Sequence, residues 1–257
     1  MLGWDGLEGA QAAITGGASG LGAATVEYLQ ARGMDVTVLD RDTDKGQAIS
    51  NRLGVRFIEL DVASADSVAQ AAEQVASGAP LRVVVNCAGV GGAAKTVSRG
   101  RPHDFEKFAR TININLIGSF NVASQLAAIM SQTEPYNSDG GRGVIVNTAS
   151  VAAYDGQVGQ LAYAASKGGI VSMTLPMARD LADKGIRVNT IAPGLFLTPL
   201  LDELPAEVQD SLGKQVPFPS RLGSALEYAD LVGSIVQNTM LNGEVIRLDG
   251  AIRMAPR

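Results

Sequence analysis

A tyrosine and a lysine four positions apart are the residues of this chain whose types and spacing first suggest chemistry. In the segment AYAASKGGIV, Tyr163 and Lys167 would share one face of a helix, since residues four apart are neighbours on its surface. The residues around them are mostly Ala, Ser and Gly, which let a large group approach that face. A phenol is a poor base near neutral pH, and a close ammonium group favours its ionised form. The segment alone fits an exposed helix with an isolated aromatic equally well.

The elements that would position this pair follow from the spacing of apolar residues. Short apolar runs bounded by Gly, Asn, Asp or Pro predict strands at residues 10–15, 35–40, 55–60, 81–86, 143–148, 186–193 and 243–249. Apolar residues at helical spacing predict helices between most of them, at residues 20–32, 64–76, 105–130 and 161–184. This alternation predicts an α/β fold, a Rossmann-type, doubly wound parallel sheet of seven strands with helices on both faces. With no linker or repeat in the sequence, we expect a single domain over residues 1–257.

The composition argues against several classes of function. A net charge of −5 offers no basic face for nucleic acid, and one histidine with one cysteine supplies too few ligands for a zinc site of the usual kind. The single cysteine also rules out an internal disulfide and suits a reducing compartment. No secretory signal is visible, and no uninterrupted apolar segment reaches the roughly 20 residues that cross a bilayer. We therefore expect no nucleic acid, metal or membrane partner, and a cytoplasmic location, with the mitochondrial matrix as the alternative.

A glycine-rich turn, TGGASGLG at residues 15–22, follows the first predicted strand and opens a helix. Glycines at 16, 20 and 22 allow a tight turn and let backbone N–H groups approach a diphosphate at the positive end of the helix. The spacing is G-x-x-x-G-x-G rather than the more familiar G-x-G-x-x-G. A purely structural tight turn remains the alternative interpretation.

Asp40, at the end of the second predicted strand, indicates which dinucleotide would bind. A carboxylate in this position accepts hydrogen bonds from the adenosine ribose hydroxyls and repels a 2′-phosphate. The sequence therefore predicts NAD rather than NADP. Arg41 follows directly and is able to accept a phosphate, which leaves NADP open as the second choice.

Seven motifs together resemble the short-chain dehydrogenase/reductase family, and the resemblance covers essentially the whole chain. In chain order they are the glycine-rich turn, Asp61 after the third strand, NCAG at residues 86–89, Asn115 in ININLIG, Ser150 in VNTAS, Tyr163 with Lys167, and PGLFLTP at residues 193–199. The resemblance implies a cofactor-binding part of about residues 1–150 and a catalytic and substrate-lid part of about residues 150–257. Cys87 departs from the family, in which many members carry a second Asn there, and we expect its side chain to pack behind the cofactor loop.

The resemblance also implies a set of site residues. Tyr163 would be the general base in alcohol oxidation, Lys167 would lower its pKa and bind the nicotinamide ribose, Ser150 would orient the substrate oxygen, and Asn115 would hold a water in a proton relay. The implied cofactor contacts are Gly16, Ser19, Gly20, Leu21, Gly22, Asp40, Asp61, Val62, Asn86, Ala88, Gly89, Tyr163, Lys167, Pro193, Gly194, Leu195 and Thr198.

The C-terminal half of the chain narrows the implied activity. It is similar to family members that interconvert short or branched 3-hydroxyacyl-CoA and 3-oxoacyl-CoA with NAD, act as homotetramers and also accept steroid alcohols. Two alternatives stay open: a hydroxysteroid or other secondary-alcohol dehydrogenase with the same catalytic residues, and a nucleotide-bound scaffold that acts by binding a partner.

Two long connections at the predicted carboxyl ends of strands are candidates for contacting the substrate. Residues 200–223 are rich in Leu, Pro and Phe, and an apolar lid of this kind suits acyl chains or steroids better than sugars. The other connection, residues 89–104, carries Lys95, Arg99 and Arg101. These cations would meet the phosphates of coenzyme A or, alternatively, belong to a solvated loop.

Overall fold

The central strands β1, β4, β5 and β6 are buried along their whole length because helices cover both faces of the sheet. The computed structural model describes residue 4, residues 6–198 and residues 205–256. The strands of the main sheet in these residues are β1 Gln11–Thr15, β2 Asp35–Asp40, β3 Arg56–Glu59, β4 Leu81–Asn86, β5 Gly143–Thr148, β6 Ile186–Pro193 and β7 Val245–Leu248. All neighbours pair in parallel, in the order β3-β2-β1-β4-β5-β6-β7.

The described helices alternate with these strands. They are α1 Gly20–Gln30, α2 Thr43–Leu53, α3 Ala65–Ala76, α4 Phe105–Ile112, α5 Gly118–Ser131, α6 Leu161–Asp180, α7 Ala206–Gly213 and α8 Ala225–Gln237. Several begin at a side chain that accepts a hydrogen bond from the first-turn backbone, as Asp42, Ser64, Asp104 and Ser224 do. These caps satisfy N–H groups that have no partner within the helix, so the polar residue before each apolar segment fixes where that helix begins.

Two cores, one on each face of the sheet, hold the helices in place. Successive side chains of β1 point to opposite faces of the sheet. Ile14 packs with α1 and α8 on one face, whereas Ala13 packs with α3 and α5 on the other. The chain crosses from one half of the sheet to the other between β3 and β4, so β1 and β4 lie side by side at the centre. In open sheets of this kind, ligands bind at the carboxyl ends of the strands where the order reverses.

The predicted fold class is confirmed, and the differences from the sequence analysis lie mainly within helices. The predicted helix 105–130 contains a π-helical turn, Asn113–Ile117, between α4 and α5. The predicted helix 161–184 ends earlier, at Asp180, and a short 3₁₀ turn follows at Ala182–Lys184. The connection after β4 contains a small antiparallel hairpin, Val97–Ser98 with Arg101–Pro102.

One helical run differs from the expectation that no apolar segment is long enough to cross a bilayer. By length and composition alone, the helical run Phe105–Ser131 is long and apolar enough to cross a bilayer, the one such run among the described residues. Its inner face contributes Val122, Leu126 and Met130 to the core, each at most 2% exposed. Core helices of globular proteins pass the same test, so the length of this helix carries no argument for a membrane span.

Candidate active site

A cavity of about 750 Å³ opens at the carboxyl ends of the central strands. Its walls come from the glycine-rich turn after β1, the ends of β2 and β3, the connections after β4, β5 and β6, and one face of α6. A volume of this size is typical of pockets that enclose a cofactor or a small ligand. The residue sets predicted from the sequence therefore converge on one place.

The glycine-rich turn is a real backbone cradle. Gly16 has a φ of +63°, and a side chain there would place its Cβ only 2.8 Å from the backbone nitrogen of Ala88. A Cβ on Gly22 would collide with the Gly16 carbonyl group. The turn thus needs glycine both for its conformation and for close packing, and it exposes backbone N–H groups at the amino end of α1, where an anion is favoured.

Asp40 is held in position by the backbone on both sides. Its Oδ2 accepts a hydrogen bond from the N–H of Ala18 in the glycine-rich turn, at 3.0 Å, and its Oδ1 accepts one from Asp42, also at 3.0 Å. Each carboxylate oxygen has a further lone pair, so both can still accept a hydroxyl that enters the cavity. Arg41 lines the same part of the cavity with an exposed side chain.

Ser150, Tyr163 and Lys167 all line the cavity on the opposite side. Ser150 caps the 3₁₀ turn Val151–Ala153, with its Oγ accepting from the Ala152 N–H at 3.1 Å. The Lys167 Nζ lies 5.7 Å from the centre of the Tyr163 ring and donates a 2.7 Å hydrogen bond to the carbonyl oxygen of Thr148. The phenol and the ammonium therefore share one helix face and point into the cleft, and the alternative of an exposed helix with an isolated aromatic is excluded.

The protonation of this pair differs from the expectation that Lys167 lowers the pKa of Tyr163. Burial raises the pKa of the Tyr163 phenol above its ordinary value, and a hydrogen bond with Ser150 acts in the opposite direction. Burial also lowers the pKa of the Lys167 ammonium, to about 8. The cost of burying either charge dominates in the protein alone, because the ammonium is bound to a neutral carbonyl group and lies beside the ring. A phenolate here needs additional positive charge.

Asn115 bridges elements that are far apart in the sequence. It lies in the π-helical turn, fully buried, and its side-chain amide both accepts from the Val90 N–H at 2.8 Å and donates to the Val90 carbonyl oxygen at 2.9 Å. It also donates to the Ser166 hydroxyl at 3.0 Å. The residue joins the connection after β4 to α6, so the interpretation as a polar residue with only local bonds is excluded. The proton relay implied for it stays a prediction.

Asn86 lies outside the set of residues that line the cavity, unlike the other predicted cofactor contacts. It is 2% exposed, and its Nδ2 donates to Asn147 Oδ1 at 2.9 Å and to the Ser119 carbonyl oxygen at 3.3 Å. The structure thus gives Asn86 a supporting position beneath the floor, joining β4 to β5 and α5. The predicted residues that do line the cavity are Gly16, Ser19, Gly20, Leu21, Gly22, Asp40, Asp61, Val62, Ala88, Gly89, Ser150, Tyr163, Lys167, Pro193, Gly194, Leu195 and Thr198.

Several residues that line the cavity were not predicted as cofactor contacts or catalytic residues, although the sequence analysis names Arg41 for a 2′-phosphate and Cys87 for packing behind the cofactor loop. Most of them lie next to a motif residue at the carboxyl end of a strand. They could have been predicted from the rule that ligands bind at the carboxyl ends of parallel strands. Gln160 is different, because it immediately precedes the catalytic helix without belonging to any motif. The additional residues are Leu39, Arg41, Leu60, Cys87, Val90, Gly91, Gly92, Ala93, Ile114, Thr148, Ala149, Gln160 and Phe196.

The predicted lid is described only in part. Residue 199 of the PGLFLTP motif and residues 200–204 of the lid lie outside the described residues. The remainder contains α7, and Gly223 packs against the Phe196 ring, with which it forms a bridge between backbones. This contact ties the end of the predicted lid to the wall of the cavity.

Cys87 belongs to a small buried hydrogen-bond network at the back of the cavity. Its Sγ lies 3.5 Å from the Tyr228 hydroxyl and 3.6 Å from the Thr148 Oγ1, and these two hydroxyls are 2.7 Å apart. Burial raises the pKa of the Cys87 thiol. The position agrees with a packing role, and the raised pKa disfavours the nucleophilic thiolate.

The comparisons with known proteins agree with this geometry. The family model for short chain dehydrogenases matches residues 10–209. The chain belongs to the short-chain dehydrogenase family, and it is an oxidoreductase that acts on a CH–OH group.

The most informative relatives share one name. The chain is 56% identical to 3-hydroxyacyl-CoA dehydrogenase type-2 of Bos taurus and 55% identical to that of Homo sapiens, with 97% of each chain covered in both cases. A crystal structure of 3-hydroxyacyl-CoA dehydrogenase type-2 from Mycobacterium avium superposes with a TM-score of 0.94 at 44% identity, covering 98% of both chains.

The position of Cys87 predicts a slow reaction with alkylating agents. Because it is the only cysteine in the sequence, the rate of iodoacetamide labelling at pH 7.5 reports this thiol alone. We expect native labelling to be at least about tenfold slower than labelling of the urea-unfolded chain, since the raised pKa of the native thiol leaves less thiolate. Equal native and unfolded rates would contradict this assignment.

Proposed function

We propose that this oxidoreductase interconverts short or branched 3-hydroxyacyl-CoA and 3-oxoacyl-CoA with NAD as the electron acceptor. The observation that carries the proposal is the convergence of Ser150, Tyr163 and Lys167 on a cavity whose opposite wall is the glycine-rich turn. The names of the closely similar relatives support the substrate class.

The chain offers a fitting site for NAD. The backbone cradle at Gly16 to Gly22 would hold the diphosphate, Asp40 would accept the adenosine ribose hydroxyls, and Pro193, Gly194, Leu195 and Thr198 lie where they would contact the nicotinamide end. When bound, NAD accepts the hydride and adds the positive charge of its nicotinamide ring to the site. Asp40 supports NAD, since a 2′-phosphate would meet its carboxylate.

The protein side of the reaction is a proton transfer. Tyr163 would take the hydroxyl proton of the substrate in oxidation and return it in reduction, and Ser150 would donate a hydrogen bond to the same oxygen and stabilise the charge that develops there. Holding a phenol ionised near pH 7 rather than near pH 10 needs roughly 4 kcal/mol of differential stabilisation. Lys167 is in place to supply part of it, and because it is only 5% exposed its charge is little screened by water.

The connection after β4 supports a coenzyme A substrate. Lys95, Arg99 and Arg101 are exposed in and beside the small hairpin, and the same connection is tied to the segment before α6 by a 2.8 Å bond from the Ala94 N–H to the Gly159 carbonyl oxygen. Residues 90–93 of this connection line the cavity and the cations follow a few residues later, so we propose that they meet the phosphates of a thioester substrate. A solvated loop remains the alternative interpretation.

We also propose a homotetramer and a cellular location, and both proposals follow from the same family resemblance. Support for association comes from large apolar side chains left exposed on α4 to α6 and on the π-helical turn, among them Phe105, Ile117, Phe120 and Leu175, which a partner would remove from water. We place the enzyme in the cytoplasm, with the mitochondrial matrix as the alternative.

Replacing Tyr163 with Phe tests the activity directly. Phe keeps the packing of the ring and removes the proton-transferring hydroxyl, so we expect kcat for NAD reduction with 3-hydroxybutyryl-CoA to fall roughly 10³-fold, while NADH affinity, measured by fluorescence, stays within about threefold.

Wild-type rates with the 2-methyl analogue, longer acyl chains and a 17β-hydroxysteroid would distinguish the thioester from the steroid activity. Unchanged turnover in the variant would overturn the mechanism, and a wild type that binds NADH without oxidising any of these alcohols would favour the scaffold alternative.

The Asp40→Ala variant tests cofactor choice. We expect it to weaken NAD binding by roughly tenfold or more, because the ribose hydroxyls lose a charged acceptor, whereas NADP binding should be unchanged or improved. Arg41→Ala is the matched control, with an expected loss confined to NADP. Equal losses of both cofactors in Asp40→Ala would argue that the carboxylate only supports the turn through Ala18.

Charge reversal at Arg99 and Arg101 tests the coenzyme A contact. We expect the double variant Arg99→Glu/Arg101→Glu to raise KM for the acyl-CoA roughly fivefold at low ionic strength, an effect that should diminish in salt because the groups are exposed. Arg179→Glu/Lys184→Glu makes the same change in net charge at the far end of α6. Equal KM changes in the two double variants, or a parallel change for a neutral steroid, would dispose of a specific phosphate contact.

A further inference from the structure

The two catalytic hydroxyl groups are joined by a short connection, residues 151–162. It starts with the 3₁₀ turn that Ser150 caps, and its last two residues begin α6 directly after Gln160, which lines the cavity. The shape of this connection therefore sets where both hydroxyls stand relative to each other and to a substrate between them. What holds the connection in place matters for the chemistry.

Arg247, on β7, holds the middle of the connection from outside the cavity. Its Nη2 donates to Asp155 Oδ2 at 2.7 Å and to the Ile252 carbonyl oxygen at 2.9 Å, and its Nε donates to Asp249 Oδ2 at 2.7 Å. The side chains of Arg247 and Asp155 are each 21% exposed, and that of Asp249 is 7% exposed. A guanidinium group between two carboxylates in partly buried surroundings is a far more rigid link than an exposed ion pair.

The second carboxylate links Arg247 to the cofactor side of the cavity. A Cβ on Gly194 would lie 2.9 Å from both the Cα and the Cβ of Asp249, and the Gly194 N–H donates to the Leu248 carbonyl oxygen at 2.9 Å. Gly194 is one of the residues that line the cavity after β6. One side chain thus joins the connection between the catalytic hydroxyls to the segment expected to contact the nicotinamide.

The end of the chain reinforces the same arrangement. Gln157 Nε2 donates to the Ala255 carbonyl oxygen at 2.9 Å, and the Val158 N–H donates to that of Pro256 at 3.0 Å. Arg247 holds the start of this C-terminal tail, residues 252–256, by donating a hydrogen bond to the Ile252 carbonyl oxygen. The tail therefore lies along the outer side of the connection, and Arg247 is the point at which connection, tail and cofactor segment meet.

We infer that Arg247 is a positioning residue for the reaction: by pairing with Asp155 and Asp249 together, it fixes the Ser150–Tyr163 connection against the Pro193–Leu195 segment. The inference rests on the proposed function. Its physical basis is that hydride and proton transfer need reacting groups within a narrow range of distances, and a displacement of about 1 Å can cost roughly 10²-fold in rate. Arginine suits the role because its planar donors reach two carboxylates at once, which a lysine ammonium cannot match in geometry.

The test compares Arg247→Met with Arg253→Met. Arg253 also reaches Asp249 Oδ2, at 3.3 Å, but it is 63% exposed and has no contact with Asp155 among the described residues. We expect Arg247→Met to lower kcat for acetoacetyl-CoA reduction at least tenfold per NADH-binding site, with NADH affinity changed less than threefold because Asp40 and the glycine-rich turn are distant from it. Arg253→Met should stay within about twofold of the wild type.

Normalising rates to NADH-binding sites separates positioning from folding. A purely structural Arg247 would reduce the number of binding sites and the melting temperature without changing kcat per site, and that result would overturn the inference. Asp155→Asn keeps the shape of the side chain and should reproduce the loss in kcat, so it carries the test if Arg247→Met fails to fold.

Two further variants test whether Arg247 acts through Asp155. The double variant Arg247→Met/Asp155→Asn should be no slower than Arg247→Met alone, and Arg247→Lys should recover part of the rate. Multiplicative losses in the double variant would show independent effects and contradict the inference. Failure of the wild type to reduce acetoacetyl-CoA would instead count against the proposed function, so the two failures are distinguishable.

Discussion

The site depends on keeping one ammonium group almost entirely out of water. Lys167 is 5% exposed, and it donates a hydrogen bond to the carbonyl oxygen of Thr148 rather than to a carboxylate. Burying a charge without an opposite charge is costly, and the lowered pKa, about 8 against an ordinary 10.5, corresponds to roughly 3 kcal/mol at neutral pH. Because the folded state disfavours the charged form, this group's cost diminishes as the pH rises from about 8 towards 10.5. The buried Lys167 ammonium group lowers the stability of the folded protein. Because it also lines the cavity, we attribute its presence there to a role in the reaction.

The floor of the cavity shows how the sheet supports that cation. Asn86 and Asn147 stand opposite each other in the register of β4 and β5 and bond through their side chains, and Thr148 and Cys87 follow directly at the carboxyl ends of these strands. Thr148 then uses its hydroxyl with Tyr228 of α8 and its carbonyl group with Lys167. The side-chain pairs hold adjacent strand ends in a fixed relation, although the Asn147 Nδ2 atom is buried without a hydrogen-bond partner among the described residues, which costs stability.

The sequence predicts the fold and most of the site because both depend on local patterns. Apolar runs fix the strands, and the turn at Gly16, Asp40 and the Tyr163–Lys167 spacing each occupy a strand end or a helix face that the pattern already determines. The structure was needed where several distant segments contribute to one environment. Asn86 matches a cofactor motif yet supports the floor, and the direction of the Tyr163 pKa depends on burial that no local pattern reveals. Arg247 looks like an ordinary strand residue until Asp155 and Asp249 are brought to it.

Lys167 and Arg247 illustrate different uses of positive charge. Lys167 is buried against a neutral carbonyl group, so its charged form is weakly stabilised and its pKa falls to about 8. Arg247 lies between two carboxylates and is one-fifth exposed, so it stays charged and its geometry is fixed by donors in one plane. A lysine serves where protonation must respond to what is bound, and an arginine serves where segments must be held at constant distance. The proposed proton transfer by Tyr163 would use both groups: the responsive charge of Lys167 and the connection that Arg247 holds through Asp155.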